Sequence, residues 1–223
     1  MEILEMFNSA FGWAFNLFPY KRAKIWLEIY TKPHETMTKE MKNASIMQGV
    51  KDRVISILPM SFLVGLFYAV LMLIGGQIVT GILVFFGALI ILPIFIVLFG
   101  LFGDGIVWVF AKILGGKGKY STHFYVNSLV CAGGMIVSTV LFIPSMIPCI
   151  GYVFSLLSLP VTVYEIYLQM KTVRMVHGIS RNRAAAAVLL PIIIIVAIMI
   201  LFYVMVIATV LATTAGLGTN RLN

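Results

Sequence analysis

Five stretches of this chain are apolar almost without interruption, and each is long enough to cross a bilayer. They are Val54–Ile74, Ile78–Phe102 (interrupted by Pro93), Phe124–Ile143, Ile147–Met170 (containing Pro160) and Ala184–Leu211 (containing Pro191). A helix needs about 20 apolar residues to cover a hydrocarbon core about 30 Å thick. Lipid offers the backbone no hydrogen-bond partners, so a spanning segment must satisfy itself as a helix or close into a barrel, and the period-2 alternation of a barrel is absent. The pattern predicts an all-α membrane protein, a bundle of five transmembrane helices.

Ahead of the first span the pattern changes to an amphipathic one. Ile3, Leu4, Phe7, Ala10, Phe11, Ala14, Leu17 and Phe18 fall on one helical face, and Glu2, Glu5, Asn8, Ser9, Gly12 and Asn16 on the other. Such a helix lies in the headgroup plane or packs its apolar face on the bundle. It does not read as a signal peptide, because Glu2 and Glu5 stand where a positive region belongs and no small-residue cleavage site follows. A short helix is predicted through Ile25–Tyr30. Thr31-Lys32-Pro33 breaks it, and Pro33 then suits the first turn of another helix, from about His34 to Gln48. The organisation expected is amphipathic cytoplasmic or interfacial helices over 1–53, the bundle over 54–211 and a short external tail over 212–223.

Charge sets the orientation. Eight Lys or Arg precede the first span (Lys21 to Arg53). The connection between spans two and three holds Lys112, Lys117 and Lys119, and that between spans four and five holds Lys171, Arg174, Arg181 and Arg183. The other two connections, Gly75-Gly76-Gln77 and Pro144–Pro148, carry no charge and are short enough to make tight hairpins. Alternation of basic and bare loops is the positive-inside pattern, which places the N-terminus in the cytoplasm and the C-terminus outside. The outer surface is nearly featureless, so recognition in water is expected on the cytoplasmic side.

Composition agrees. Of 223 residues, 61% are hydrophobic and 11% charged, whereas soluble domains carry about 25% charged residues. The net charge of +8 sits beside apolar spans rather than among stacking residues, so it points to anionic headgroups and not to nucleic acid. Lys117, Lys119, Lys171, Arg174, Arg181 and Arg183 are the candidate lipid contacts, and plain topological anchoring would also explain them. Cys131 and Cys149 are too few for a disulfide framework or metal cluster and read as small core residues.

Two acids lie beyond the N-terminal region, Asp104 and Glu165, and charges inside spans are functional suspects. Asp104, in Gly103-Asp104-Gly105, faces Lys112 or a basic loop, or marks a break in the helix. Glu165 lies about two turns from the end of span four, where Lys171 and Arg174 offer pairing. The sharper expectation is one polar cluster of Asp104, Glu165 and the basic loops at the cytoplasmic mouth. Gly178 suits a helix C-cap and Ser180 an N-cap. Small-residue spacings in spans three and four (Ser128-x3-Ala132, Gly134-x3-Ser138, Gly151-x3-Ser155, Ser158-x3-Thr162) predict that these spans pack closely through those faces.

Phosphate loops, Cys-x2-Cys, His-x3-His and Gly-x-Ser-x-Gly motifs are all missing, so no cofactor, metal or enzymatic activity is expected. His123 and His177 read as interfacial. Transporters usually show midplane polar groups and an internal repeat. Only hydroxyl and amide groups appear at that depth here.

With spans and loops placed, three segments resemble the Yip1-domain family of membrane proteins. Ala111-Lys112-Ile113-Leu114-Gly115-Gly116-Lys117-Gly118-Lys119-Tyr120 is similar to the segment opening the second half of that domain. Val176-His177-Gly178-Ile179-Ser180-Arg181-Asn182-Arg183-Ala184, followed by Val188-Leu189-Leu190-Pro191, resembles its approach to the last helix. Ile29-Tyr30-Thr31-Lys32-Pro33-His34-Glu35-Thr36-Met37 resembles its pre-membrane element. The three keep the family's order over roughly residues 25–210. The resemblance implies a non-enzymatic, trafficking-like or membrane-organising factor that works through lipids, protein partners or self-association, here of archaeal or bacterial type in the plasma membrane. The Asp-Leu-Tyr-Gly-Pro-type motif and long cytoplasmic tail of eukaryotic members are not found, so small-GTPase binding is not carried over. The competing reading is a small transporter or channel with a cytoplasmic vestibule near Glu165; a membrane-embedded enzyme ranks third.

Overall fold

The computed structural model describes residues 20–147 and 151–219, with side chains of 21–147 and 151–211. The amphipathic segment 1–18, Cys149 and the side chains of the C-terminal tail lie outside the described residues. The elements run α1 (Tyr20–Thr31), α2 (Pro33–Glu40), a 3-10 turn (Met41–Asn43), α3 (Ile46–Ile74), α4 (Ile78–Ile113), α5 (Tyr120–Ser145), α6 (Gly151–His177) and α7 (Arg181–Thr219). Helices α3 to α7 are the five long apolar ones, and the protein is an all-α integral membrane bundle.

Several boundaries differ from the sequence-based expectation. The helix expected over 34–48 is two. It stops at Glu40, and Ala44 (ψ 122°) and Ser45 (φ −143°) are extended before α3 begins, eight residues ahead of Val54. The expected break at Gly103–Gly105 is absent, and α4 continues to Ile113. Lipid explains this, because unsatisfied backbone costs more there than glycine's weak helix propensity. Pro33 takes the first turn of α2, and Gly178 adopts φ +65° while its N–H returns to Arg174 O at 2.9 Å, as expected of a C-cap. Pro93, Pro160 and Pro191 all sit inside unbroken helices.

The two described core clusters lie at the end that carries the basic loops. One cluster joins α1, α2, α5 and α6 through Trp26, Ile29, Met37, Leu129 and Leu168, all with no exposed surface. A second joins α4, α6 and α7 through Ala111, Val173, Ala187 and Val188. Toward the other, bare end the helices turn large apolar side chains outward, among them Phe86, Leu98, Leu156, Ile193 and Leu201. An apolar band of this extent is a lipid-facing surface. Helices α3 and α4 close on each other through small residues: Gly65 lies against Phe85 and Ala88, and Gly81 against the Ala69 carbonyl.

Candidate functional site

Buried polar groups gather at the basic end in three separate networks. The first crosses α3, α4 and α5. Arg53 is buried and donates from Nη2 to Asp104 Oδ2 at 2.5 Å and from Nε to Ser128 Oγ at 2.8 Å. Asn127 Nδ2 donates to the other Asp104 oxygen, and the guanidinium lies 4.9 Å from the Phe124 ring centroid. Gly100 makes the approach possible, since a side chain there would overlap the Arg53 guanidinium. A low-dielectric site tolerates a charge only when it is paired and hydrogen-bonded, and both conditions hold.

The second network fastens α1 and α2 to the bundle. Arg22 forms a two-point ion pair with buried Asp52, with Nε to Oδ1 at 3.0 Å, and Trp26 Nε1 donates to the same oxygen at 3.2 Å. Tyr125 donates to Glu40 at 2.5 Å and accepts from Arg22 at 3.3 Å.

The third lies deeper. Tyr30 donates to Glu165 Oε1 at 2.9 Å, and Tyr164 donates to the Tyr30 carbonyl at 2.6 Å. Gly134 lies directly against the Glu165 carboxylate, and Gly133 against the Tyr30 ring. Burial, and after it the Glu165 carboxylate, push the Tyr30 phenol well above its ordinary value, so it remains a donor. Gly134 is six to seven residues beyond Asn127 and Ser128 along α5, about 10 Å deeper into the bundle. Glu165 faces a groove of about 270 Å³ between α5 and α6, with Met60 of α3 as a third wall and Ser138, Ser145, Ser155, Ser158 and Thr162 along it.

These placements correct several sequence-based expectations. Asp104 and Glu165 do not share one cluster. Asp104 pairs with Arg53 rather than Lys112, which is exposed beside Trp108. Glu165 has Tyr30 as partner, and no ion pair to Lys171 or Arg174 occurs among the described residues. Ser128 packs toward α3, not α6. Ala132 is buried in the first core cluster, Gly134 does meet α6, and Gly151 closes on the Ser145 carbonyl. Ser155, Ser158 and Thr162 are exposed along the groove instead of sealing a helix seam, with their hydroxyls bonded to α6's own carbonyls. His123 and His177 stand in the first turn of α5 and at the last residue of α6, and both face inward. They are 1% and 2% exposed, their ring centroids are 5.4 Å apart, and none of their four ring nitrogens has a protein hydrogen-bond partner.

Arg53 and Asp52 were hidden among the loop charges. A usable signal existed, because Gly49, Arg53, Ile57, Ser61, Gly65 and Ala69 recur every four residues, five of them small or polar, and all six are buried. Tyr30 gave no comparable signal, since its partner lies 135 residues away.

Of the candidate lipid contacts, Lys117, Lys119, Arg174, Arg181 and Arg183 are exposed and Lys171 is half-buried. Lys171 and Arg174 share a pocket of about 570 Å³ with His34, which α2 brings beside them. Arg183 reaches toward the Leu114 carbonyl at 3.4 Å. Among known proteins, no family model, no curated protein and no solved structure matches this chain.

Proposed function

We propose that this is a non-enzymatic membrane-organising protein of Yip1 type, whose basic end engages anionic lipid headgroups and acidic protein partners at the cytoplasmic surface. One observation carries the reading. Four of the acids, Glu40, Asp52, Asp104 and Glu165, are turned inward onto Arg22, Arg53, Tyr125 or Tyr30. Lys112, Lys117, Lys119, Lys171, Arg174, Arg181 and Arg183 are left without an acidic partner among the described ion pairs. The fold therefore turns four of its eight acids inward and presents a mainly basic collar, in which Glu35 is an exposed acid. Each cation near an anionic leaflet contributes about 1 kcal/mol of attraction, so seven together make a strong electrostatic surface. The His34–Lys171–Arg174 pocket is of a size to seat a headgroup phosphate.

The three segments similar to the Yip1-domain family support the same role, as does the alternation of basic and bare loops. The test is purification from native membranes in a gentle detergent, with mass spectrometry of what stays bound. A stoichiometric partner retained by the wild type and lost from a Lys171→Gln, Arg174→Gln, Arg181→Gln, Arg183→Gln variant supports the proposal. A partner-free protein with no retained anionic lipid overturns it.

A further inference from the structure

We propose that Glu165 is an exchangeable site for a small monovalent cation, a proton or a sodium ion, reached from the bare end of the bundle and closed toward the basic end. The collar proposal does not depend on it.

The groove supplies the access. Its α6 wall carries Ser155, Ser158, Thr162 and Glu165 at the i, i+3, i+7, i+10 spacing of one helical face, with Phe154 and Val161 beside them, and Ser138, Leu141, Phe142 and Ser145 form the facing wall on α5. From Ser155 near the bare-end turn to Glu165 is ten residues, about 15 Å of helix. A volume of about 270 Å³ holds several waters at about 30 Å³ each. The hydroxyls that line it donate to their own helix carbonyls, Ser145 to Phe142 O at 2.6 Å and Thr162 to Ser158 O at 3.0 Å. Their oxygens are therefore left as acceptors, the lining a cation or a water file requires. Ser138 makes no such bond among the described residues.

The floor supplies the ligand. Glu165 has one described hydrogen bond, from Tyr30 to Oε1, and no cationic partner among the described residues. The neighbouring titratable groups are Tyr30 of α1, Tyr164 of α6 itself and Cys131 of α5, none of them cationic. A carboxylate at membrane depth without a counter-ion binds a cation or takes a proton. Beyond it toward the basic end the path stops at Leu168, Trp26, Ile29, Met37 and Thr172, all with no exposed surface. Access is one-sided, and the side is opposite to the cytoplasmic vestibule that sequence alone suggested.

The test uses the full chain. Melting temperature is compared in sodium chloride and choline chloride, and carboxyl protonation is followed by infrared difference spectroscopy, each for wild type and Glu165→Gln. Sodium-dependent stabilisation lost in the variant identifies a sodium site. No sodium effect, with a Glu165-dependent protonated-carboxyl band that responds to pH, identifies a proton site. Absence of both signals overturns the proposal. Sidedness is read in oriented proteoliposomes carrying Ser158→Cys with Cys131 and Cys149 replaced by Ser, using an impermeant cationic methanethiosulfonate. Modification from the bare side alone is expected. Modification from the basic side, or from neither, contradicts the one-sided groove, and this readout stands even if Glu165→Gln fails to fold.

Discussion

Replacing Arg53 by Met should destabilise the bundle far more than its place among loop charges suggests. In the structure Arg53 is 4% exposed, and its loss leaves the Asp104 carboxylate buried with only Asn127 donating to it. Breaking a buried pair by removing one partner costs about 3–5 kcal/mol. Asp104→Asn keeps the shape but strands the guanidinium beside Ser128 and the Phe124 ring, and falls in the same range. The double variant Arg53→Met/Asp104→Leu removes both charges together. Its remaining cost is the orphaned Asn127 amide, about 1–3 kcal/mol, since the Ser128 hydroxyl keeps its bond to the Phe124 carbonyl at 2.7 Å. The double variant should therefore be more stable than either single one. The coupling should be at least about 2 kcal/mol, within the range seen for residues that share a network. Equilibrium unfolding in mixed micelles of dodecyl sulfate and a mild detergent measures all four corners of the cycle. Additive losses, or a single variant costing under about 1 kcal/mol, would refute the assignment of this pair as a buried, mutually dependent unit.

Further outcomes follow from the Tyr30–Glu165 network and from the histidines. Gly134→Val should displace Glu165 and break the Tyr30 bond, at about 1–3 kcal/mol for an overfilled site, seen as a lowered melting temperature and loss of the tyrosine–carboxylate signature in infrared spectra. Tyr30 keeps its proton in the folded state above the value at which the unfolded chain, near 10, loses it. Its contribution is therefore complete below pH of about 10 and is lost as pH rises beyond that, so Tyr30→Phe should flatten the alkaline limb of the stability profile. His123→Phe should change stability by no more than about 1 kcal/mol, because no protein hydrogen bond to either ring nitrogen is lost. A larger loss in thermal unfolding would mean that the two imidazoles hold a water or ion between them.

The five spans were legible because lipid imposes one rule on every spanning residue, and a run of 20 apolar residues records it directly. The α1–α2 break was legible, and the extent of α2 was not. Pro33 announced the start of α2, while the stop at Glu40 and the extended Ala44–Ser45 depend on how α3 docks against Phe124 and Ser128 through Gly49. Asp104 and Glu165 stood out as acids in apolar surroundings, but their partners did not. Arg53 lies 51 residues from Asp104 and Tyr30 lies 135 from Glu165, and helical periodicity carries no information over such separations. The stripe Ser155, Ser158, Thr162 was found and given the wrong role. Small residues at helical spacing mark either a closed seam or a groove, and only the placement of α5 and α3 decides between them.

The most direct test of the collar is native mass spectrometry of the protein released from nanodiscs of mixed anionic and zwitterionic lipid. The wild type should carry several anionic lipids out of proportion to their share of the bilayer, and the variant with Lys171, Arg174, Arg181 and Arg183 changed to Gln should lose that enrichment. Equal retention of anionic lipid by both would contradict the claim that the fold presents its unpaired positive charge to bind the membrane surface.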